Sequence, residues 1–448
     1  MSSFARRAFL CTASAACVFS LFSLGAMVSA CDLAFDLGIT AKVDAGPSVD
    51  GPGDQDAGDE APGYADGGHA GAVADAGTDA QGLSSLVGAC STSGGGVQAG
   101  SPWPMEGRCP TRQSSTSQIA TRSTAVRWTF NASSFGDLYG GPSIAADGTV
   151  YVVAKEQLLA VRPDGTLAWS SALGGTRKAY GVPTLAADGT IYVAGSGTPS
   201  GALVAFTPLG KQKWVYDGPK FSRAPSVAAD GTLYVPGKDG RVYAIRPDGS
   251  LAWTFTTGTG GAVWSSPTIR PDGVLYFGSA DGTVYALRPD GSALWSYASG
   301  APIRRPVVLG ADGAVYALNS KVVALDSSGK VLWKFTPPPT TLPALAVAPD
   351  GTLRLLADTA LFALTREGHE LWGFVHNTIP SSTVAIDGSG TALFVIGDDY
   401  SIGRVYAVDA SGKKAWDLAL PKGGFDPAIG ADGTVYFTDG SKLYAIGQ

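Results

Sequence analysis

Short runs of apolar residues alternate with tight turns over most of the chain. One clear unit contains four such runs, Ser226 to Ala229, Thr232 to Pro236, Val242 to Arg246 and Leu251 to Phe255. An Asp-Gly turn joins the first run to the second, and a Pro-Asp-Gly turn joins the third to the fourth. The pattern predicts four short antiparallel strands that form one small sheet.

This unit recurs about every forty residues. Its fourth strand carries a tryptophan, at Trp128, Trp169, Trp214, Trp253, Trp295, Trp333, Trp372 and Trp416. Its first turn carries an Asp-Gly pair, at Asp147, Asp188, Asp230, Asp272, Asp312, Asp350, Asp387 and Asp432. A four-stranded sheet repeated eight times predicts an all-β, eight-bladed β-propeller over residues 125–448. Identical placement in every blade indicates that these tryptophans belong to the core packing.

The two ends of the repeat region complement each other. The last unit stops after its third strand, at Leu443 to Ile446, and has no tryptophan strand of its own. The missing fourth strand stands in front of the first unit, as Val126 to Phe130. Pairing these strands would close the ring and leave no open sheet edge. We expect the ring to fold without the residues that precede about position 120.

The N-terminus has the layout of an export signal. Arg6 and Arg7 precede an uncharged run from Ala8 to Ala30, and the ending Val28-Ser29-Ala30-Cys31 resembles the lipobox of bacterial lipoproteins. We therefore interpret residues 1–30 as a lipoprotein-type signal peptide with a lipid on Cys31. Ordinary cleavage after Ala30 or an uncleaved anchor helix are the alternatives, and the choice between Sec and twin-arginine export stays open.

The residues between the signal and the repeats form two further segments. Residues 31–85 are rich in Ala, Gly and Asp, and carry most of the negative charge behind the overall −6, so they predict a disordered tether. Residues 86–124 contain Cys90 and Cys109 and are interpreted as a linker. In an oxidising compartment we expect a disulfide between Cys90 and Cys109, with two free thiols as the alternative.

The sequence Tyr285-Ala-Leu-Arg-Pro-Asp-Gly291, followed by Trp295, resembles the quinoprotein-type (PQQ-like) propeller repeat. The resemblance covers about residues 125–448. It implies a family that includes quinone-dependent alcohol and sugar dehydrogenases, and also the lipid-anchored, non-enzymatic propeller subunit of the outer-membrane barrel-assembly machinery. The chain resembles that lipid-anchored subunit more than the dehydrogenases, although one fold serves both kinds of protein and does not by itself choose between them.

The residue types favour binding over catalysis. The chain has three His, its predicted propeller has no Cys, and no Asp-x-Asp-x-Asp-Gly calcium loop occurs, so we assign no catalytic residue and no metal site. We also assign no cofactor. PQQ with calcium would be required only if the protein were a quinone-dependent dehydrogenase. The small net charge and the lack of a basic footprint argue against nucleic acid as a partner.

The repetitive turns all lie on one rim of the predicted ring, which we call the turn rim. The opposite rim, the variable rim, carries the loops between blades, where function usually lies. The candidate binding residues on it are Tyr139, Arg177, Arg223, Trp264, Arg304, Arg305, Phe425 and Asp426.

The sequence therefore predicts an exported, lipid-anchored propeller in the cell envelope, at the outer membrane or the cell surface. We expect a monomer that acts as a non-catalytic binding or scaffold module and touches the membrane only through its lipid. Its partner would be an envelope protein or a cell-surface polysaccharide. The alternative is a PQQ-dependent alcohol or sugar dehydrogenase.

Overall fold

The computed structural model describes residues 96–447, except 176, 180, 198–199, 339–342, 377, 381 and 398–402. Strands in this part of the chain form eight antiparallel sheets, seven of four strands and one of five. The predicted all-β, eight-bladed propeller is confirmed. Within the same residues, no helix has the length and apolar character that crossing a membrane requires.

The strand bounds follow the predicted repeat. Strand β1 is Val126–Asn131, and blade 1 contains β2 Ser143–Ile144, β3 Val150–Ala154, β4 Gln157–Val161 and β5 Leu167–Ala172. Blade 2 contains β6 Lys178–Ala179, β7 Thr184–Leu185, β8 Ile191–Ser196, β9 Gly201–Phe206 and β10 Gln212–Gly218. Blade 3 contains β11 Ser226–Val227, β12 Leu233–Pro236, β13 Arg241–Ile245 and β14 Leu251–Thr256. Blade 4 contains β15 Thr268–Ile269, β16 Leu275–Gly278, β17 Thr283–Leu287 and β18 Ala293–Ala298.

The second half of the ring repeats this order. Blade 5 contains β19 Val308–Leu309, β20 Val315–Leu318, β21 Val322–Leu325 and β22 Val331–Phe335. Blade 6 contains β23 Ala344–Val347, β24 Leu353–Leu356, β25 Ala360–Leu364 and β26 Glu370–Val375. Blade 7 contains β27 Ala385–Ile386, β28 Ala392–Ile396, β29 Gly403–Val408 and β30 Lys414–Leu420. Blade 8 contains β31 Phe425–Ile429, β32 Val435–Thr438 and β33 Lys442–Ile446.

The Asp-Gly pairs form the predicted turns in seven blades, whereas in blade 7 the left-handed glycine is Gly390 and not the predicted Gly388. In blade 2 the backbone N–H of Thr190 donates to Asp188 Oδ1 at 2.9 Å, while Gly189 adopts a φ of +81°. That backbone conformation favours glycine, and the aspartate side chain satisfies a turn amide. The equivalent bond from Thr232 to Asp230 in blade 3 is also 2.9 Å. These aspartates therefore act as turn formers.

The periodic tryptophans join neighbouring blades. Trp253 of blade 3 packs on Tyr234 with ring centroids 5.7 Å apart, and its Nε1–H donates to the carbonyl of Pro289 in blade 4 at 3.0 Å. A Cβ on Gly291 would lie 2.7 Å from the Trp253 ring, so only glycine allows this contact. Trp253 lies on an outer strand and is half-buried, so its ring belongs to the contact between blades and not to the fully buried core.

The predicted ring closure is confirmed. Strand β1 pairs with β33 in blade 8, with Trp128 opposite Ala445. Blade 8 has no turn between its third and fourth strands, because these come from opposite ends of the repeat region. Trp416 of blade 7 therefore has no such turn to bond, and its Nε1–H donates instead to the carbonyl of Thr121 at 3.2 Å.

Residues 96–121, which we call the inner segment, pack inside the ring. Its two ends lie at the turn rim, where Gly96 accepts a bond from Ala187 and Thr121 donates to Gly433. Trp103 and Met105 between them are 4% and 0% exposed. The interpretation of residues 86–124 as a linker is therefore wrong for this part of it.

The inner segment satisfies backbone groups of the first strand in six blades. These strands line the central channel, so their channel-facing N–H groups have no partner strand. Each donates to a carbonyl of the inner segment at 2.8 to 3.2 Å: Ile144 to Trp103, Leu185 to Pro104, Ile269 to Pro110, Leu309 to Thr111, Val347 to Gln113, and Ile386 to Ser114. The inner segment is thus an integral part of the propeller.

Candidate functional site at the mouth of the channel

The registers of the first strands allow a position-by-position comparison of the loops that precede them. Ser226 lies opposite Tyr234 in blade 3, and Val308 lies opposite Tyr316 in blade 5. These residues are therefore equivalent in the two blades. The positions before them lead from the variable rim into the channel, and we call that region the channel mouth.

Three of the predicted rim residues stand on loops at the channel mouth. Arg223 and Arg305 occupy the same position, three residues before the strand pair, in blades 3 and 5. Asp426 comes from blade 8, at the start of β31. The charges of Arg223 and Asp426 both act on the pKa of Arg305, and the charge of Arg305 acts on the pKa of Asp426. All three side chains are half-buried. The repeat thus converts distant sequence positions into one charged cluster.

The inner segment supplies two more charges to this cluster. Arg112 Nη1 lies 3.3 Å from Glu106 Oε2, and both side chains are buried. The same guanidinium donates to the carbonyl of Pro267 at 3.2 Å and to Ser226 Oγ at 2.8 Å. Glu106 also accepts a bond from Ser266 at 3.1 Å. This ion pair therefore ties the inner segment to blades 3 and 4.

The two carboxylates have opposite pKa shifts. Burial alone would raise the pKa of Glu106, but Arg112, Arg223, Arg305 and a bond from Ser266 outweigh it and hold that pKa below its usual value. Burial, with Glu106 nearby, raises the pKa of Asp426. The Asp426 carboxylate also accepts a bond from the backbone N–H of Thr383 at 2.7 Å. Asp426 thus bridges blades 7 and 8.

The residues at the channel mouth do not fit a quinone with calcium. The cavity between Glu106, Arg112, Arg305 and Thr383 measures about 30 Å³. Small-molecule sites usually measure roughly 300 Å³ or more, whereas a single water needs only about 10 to 15 Å³. Among the described residues, no group of three or more His, Cys, Asp or Glu is placed to hold a metal. We therefore derive no catalytic step through a quinone.

The other predicted rim residues lie apart from this cluster. Arg177 forms an ion pair with Asp217 at 2.5 Å. The Trp264 ring lies under Lys238, whose Nζ is 4.9 Å from the ring centroid. Arg304 is half-buried beside Arg305. These residues belong to the variable rim but not to the channel mouth.

Tyr139 and Phe425 are also half-buried. The Tyr139 hydroxyl donates to Asp137 Oδ2 at 3.1 Å, and Phe425 begins β31, opposite Thr438. Tyr139 lies in the segment that leads into the first strand of blade 1, and Phe425 lies at the start of the first strand of blade 8.

Of the three cysteines with a predicted role, the structure describes Cys109. Cys109 is buried in the inner segment, with Sγ 3.2 Å from Thr111 Oγ1. Its predicted disulfide partner Cys90 lies outside the described residues, and so does Cys31. The disulfide and the lipid therefore stay predictions.

Comparison with a protein-family model identifies the family of the chain. The family described as outer membrane protein assembly factor BamB (PQQ_2) matches residues 112–279 and 280–423. The chain belongs to this BamB-like family. The match begins inside the inner segment, at Arg112, and ends at Gly423, between β30 of blade 7 and β31 of blade 8. No curated protein matches the chain.

Solved structures share the fold of this BamB-like chain. A quinohemoprotein alcohol dehydrogenase from Comamonas testosteroni is 14% identical, with a TM-score of 0.64 over 79% of this chain and 82% of that one. A europium-containing methanol dehydrogenase is 15% identical, with a TM-score of 0.62 over 78% and 98%. BamB from Moraxella catarrhalis is 14% identical, with a TM-score of 0.58 over 72% and 99%. At such identities the likeness shows the fold alone.

Proposed function

We propose that this protein is an exported, lipid-anchored propeller that binds a protein partner in the cell envelope through its variable rim, without chemistry of its own. The observation that carries the proposal is the asymmetry of the two rims. The inner segment fills the channel from the turn rim, whereas Trp264, Arg304 and the channel mouth lie on the variable rim. Variable loops on a rigid scaffold are the usual place for binding.

The surroundings of Trp264 favour a protein over a polysaccharide. Sugar rings stack on open aromatic faces, but Lys238 covers one face of this ring. Tryptophan and arginine, here Trp264 with Arg304 on the next loop, are residue types enriched at protein interfaces. The family description, which names an outer membrane protein assembly factor, supports an envelope partner of the same kind.

Substitutions on the two rims test the proposal. We expect Trp264→Ala and Arg304→Ala to reduce cross-linking of the partner in intact envelopes at least fivefold. Loop substitutions away from the core should change the free energy of unfolding by less than about 1 kcal/mol. The matched control is Leu209→Ala, because Leu209 is 85% exposed on the turn rim. Loss of cross-linking in the Leu209 variant, with full cross-linking in the Trp264 variant, would show that the turn rim binds the partner and would contradict the proposal.

The anchor requires a separate test. The motif ending at Cys31 supports the proposed lipid, and so does the envelope family. We expect metabolic labelling with a fatty-acid analogue to mark the wild type and Cys90→Ala, but not Cys31→Ala. The Cys31 variant should also move from the membrane fraction to the soluble fraction, since the lipid supplies the membrane affinity. An unlabelled wild type would show that the lipobox assignment is incorrect.

A further inference from the structure

One position recurs in all eight blades at the variable-rim end of the outer strand, four residues after the periodic tryptophan. In blade 3 it is Thr257, whose backbone N–H donates to the carbonyl of Gly240 at 2.9 Å. In blade 6 it is His376, whose backbone N–H donates in the same way to Thr359 at 2.9 Å. The other six blades carry Ala132, Leu173, Gly218, Ser299, Pro337 and Leu420 there. His376 is thus the one residue of the eight that titrates near neutral pH.

The hydroxyl side chains at this position are hydrogen-bonded within their own blade. Thr257 Oγ1 donates to the carbonyl of Gly240 at 3.0 Å, and Ser299 Oγ donates to that of Gly282 at 2.8 Å. His376 is 6% exposed, and within the described part of the chain neither of its ring nitrogens makes a hydrogen bond. Buried polar atoms without a partner are rare in native proteins, and each requires an explanation.

The His376 imidazole packs between blades 6 and 7. Its ring centroid lies 5.4 Å from that of Phe394 on β28 of blade 7. Phe394 stacks on Tyr406 at 5.5 Å, and Tyr406 contacts Phe374 of blade 6 at 5.6 Å. The contact between blades 3 and 4 has the same aromatic arrangement, built from Phe255, Phe277 and Tyr285. An imidazole in such apolar surroundings is favoured when neutral and disfavoured when charged.

The described strands around the imidazole bring little charge to it. Strands β25 and β28 carry only apolar side chains, and Arg404 on β29 is paired with Asp417. Burial lowers the pKa of His376 below its ordinary value of 6.5, although neighbouring backbone groups and the charge of Asp358 act in the opposite direction. The folded protein therefore holds this imidazole neutral at pH 7.

The segment that follows His376 reaches the channel mouth. Ser382 Oγ accepts the backbone N–H of Val395 in blade 7 at 2.8 Å. The backbone N–H of Thr383 donates to Asp426 Oδ1 in blade 8 at 2.7 Å. The contact of His376 with blade 7 therefore adjoins the contacts that shape the variable rim.

We propose that His376 is a pH-sensitive latch between blades 6 and 7, which holds the two blades together at the variable rim when neutral and loosens them when protonated. Opening the contact exposes the imidazole to water, where it binds a proton at its ordinary pKa. Its stabilising contribution is therefore fully present above pH 6.5 and is lost as the pH falls below that value. The latch goes beyond the proposed function, because it concerns the ring itself and requires no partner.

Urea unfolding at pH 7.5 and pH 5.5 tests the latch. The informative variant is His376→Thr, which gives blade 6 the residue of blade 3. Between the two pH values, we expect the unfolding equilibrium constant of the wild type to rise about three- to tenfold relative to that of the variant. His369→Thr is the matched control, since His369 is exposed, and it should keep the wild-type pH dependence. Equal pH dependence of the wild type and His376→Thr would overturn the proposal.

The comparison between variants also removes the contribution of Asp426. Burial raises the pKa of this carboxyl, which is present in all three proteins and affects them alike. NMR titration of the wild type adds a measurement for which no variant has to fold. The chain has three histidines, and we expect one imidazole signal to titrate below pH 6.5. Titration of all three signals at or above pH 6.5 would contradict a buried, neutral His376.

Hydrogen exchange followed by mass spectrometry locates the effect. At pH 5.5, peptides from residues 378–397 should exchange severalfold faster in the wild type than in His376→Thr, and at pH 7.5 they should exchange no faster. Comparing the two proteins at the same pH cancels the intrinsic pH dependence of exchange. Peptides from residues 257–278, at the contact between blades 3 and 4, are the internal control. Equally faster exchange in both regions would show destabilisation of the whole ring and refute a local latch.

Discussion

A chain that begins at Gly96 should melt at the temperature of the full-length protein, whereas a chain that begins at Ala120 should lose at least about 5 kcal/mol of its free energy of unfolding. The second chain lacks most of the inner segment. Burying Trp103 and Met105 stabilises the fold by about 1.5 to 3 kcal/mol each, and each of the six backbone bonds contributes about 1 kcal/mol. Thermal and urea unfolding followed by circular dichroism measure the difference.

The pair of chains isolates the inner segment from ring closure. Both chains retain β1, and both retain Thr121, whose carbonyl bonds Trp416. Any difference between them therefore comes from residues 96–119. Identical melting curves would show that the propeller folds independently of these residues, as the sequence analysis expects and the structure contradicts.

Glu106→Gln should lower the free energy of unfolding by about 3 to 5 kcal/mol at pH 7, because removing one partner of a buried ion pair leaves the other charge uncompensated. Here the charge that loses its ion-pair partner would be Arg112. Urea unfolding gives the measurement, and Glu367→Gln is the control, since Glu367 is an exposed carboxylate on a turn. A change no larger than that of the control would show that Glu106 does not hold the cluster together.

The effect should depend on pH in a defined direction. The pKa of Glu106 is lower in the folded protein than its ordinary value of 4.5. Its stabilising contribution is therefore fully present above pH 4.5 and is lost as the pH falls through the folded pKa. The stability gap between wild type and Glu106→Gln should narrow below about pH 4.5. Combining Glu106→Gln with Arg112→Met should cost less than the sum of the single changes, because the two groups interact directly.

The ring could be predicted from sequence because the blades repeat the same contacts and turns. The tryptophan contact requires glycine on the next blade, as between Trp253 and Gly291, and the Asp-Gly turns need a left-handed glycine. These requirements recur at a fixed period and are therefore visible in one sequence. Closure could also be predicted, since a unit without a fourth strand needs one from elsewhere.

The inner segment could not be predicted in the same way. Its contacts to the blades are made mainly by carbonyl oxygens, which every residue carries, so they leave no side-chain pattern. Trp103 and Met105, set among Gly, Ser and Pro, were the available sign of burial. Only part of the charged cluster could be predicted. Arg223, Arg305 and Asp426 lie on predicted rim loops. Glu106 and Arg112 lie in the segment that the sequence analysis interprets as a linker.

Ring closure also determines the order in which this chain can fold. Blades 1 to 7 each consist of consecutive strands and can form one after another as the chain emerges. Blade 8 pairs Trp128 with Ala445, more than 300 residues later in the sequence. Contacts of such sequence separation form slowly, because a long loop must close first. Strand β1 therefore stays unpaired, with a sheet edge open to aggregation, until the last strand has been made.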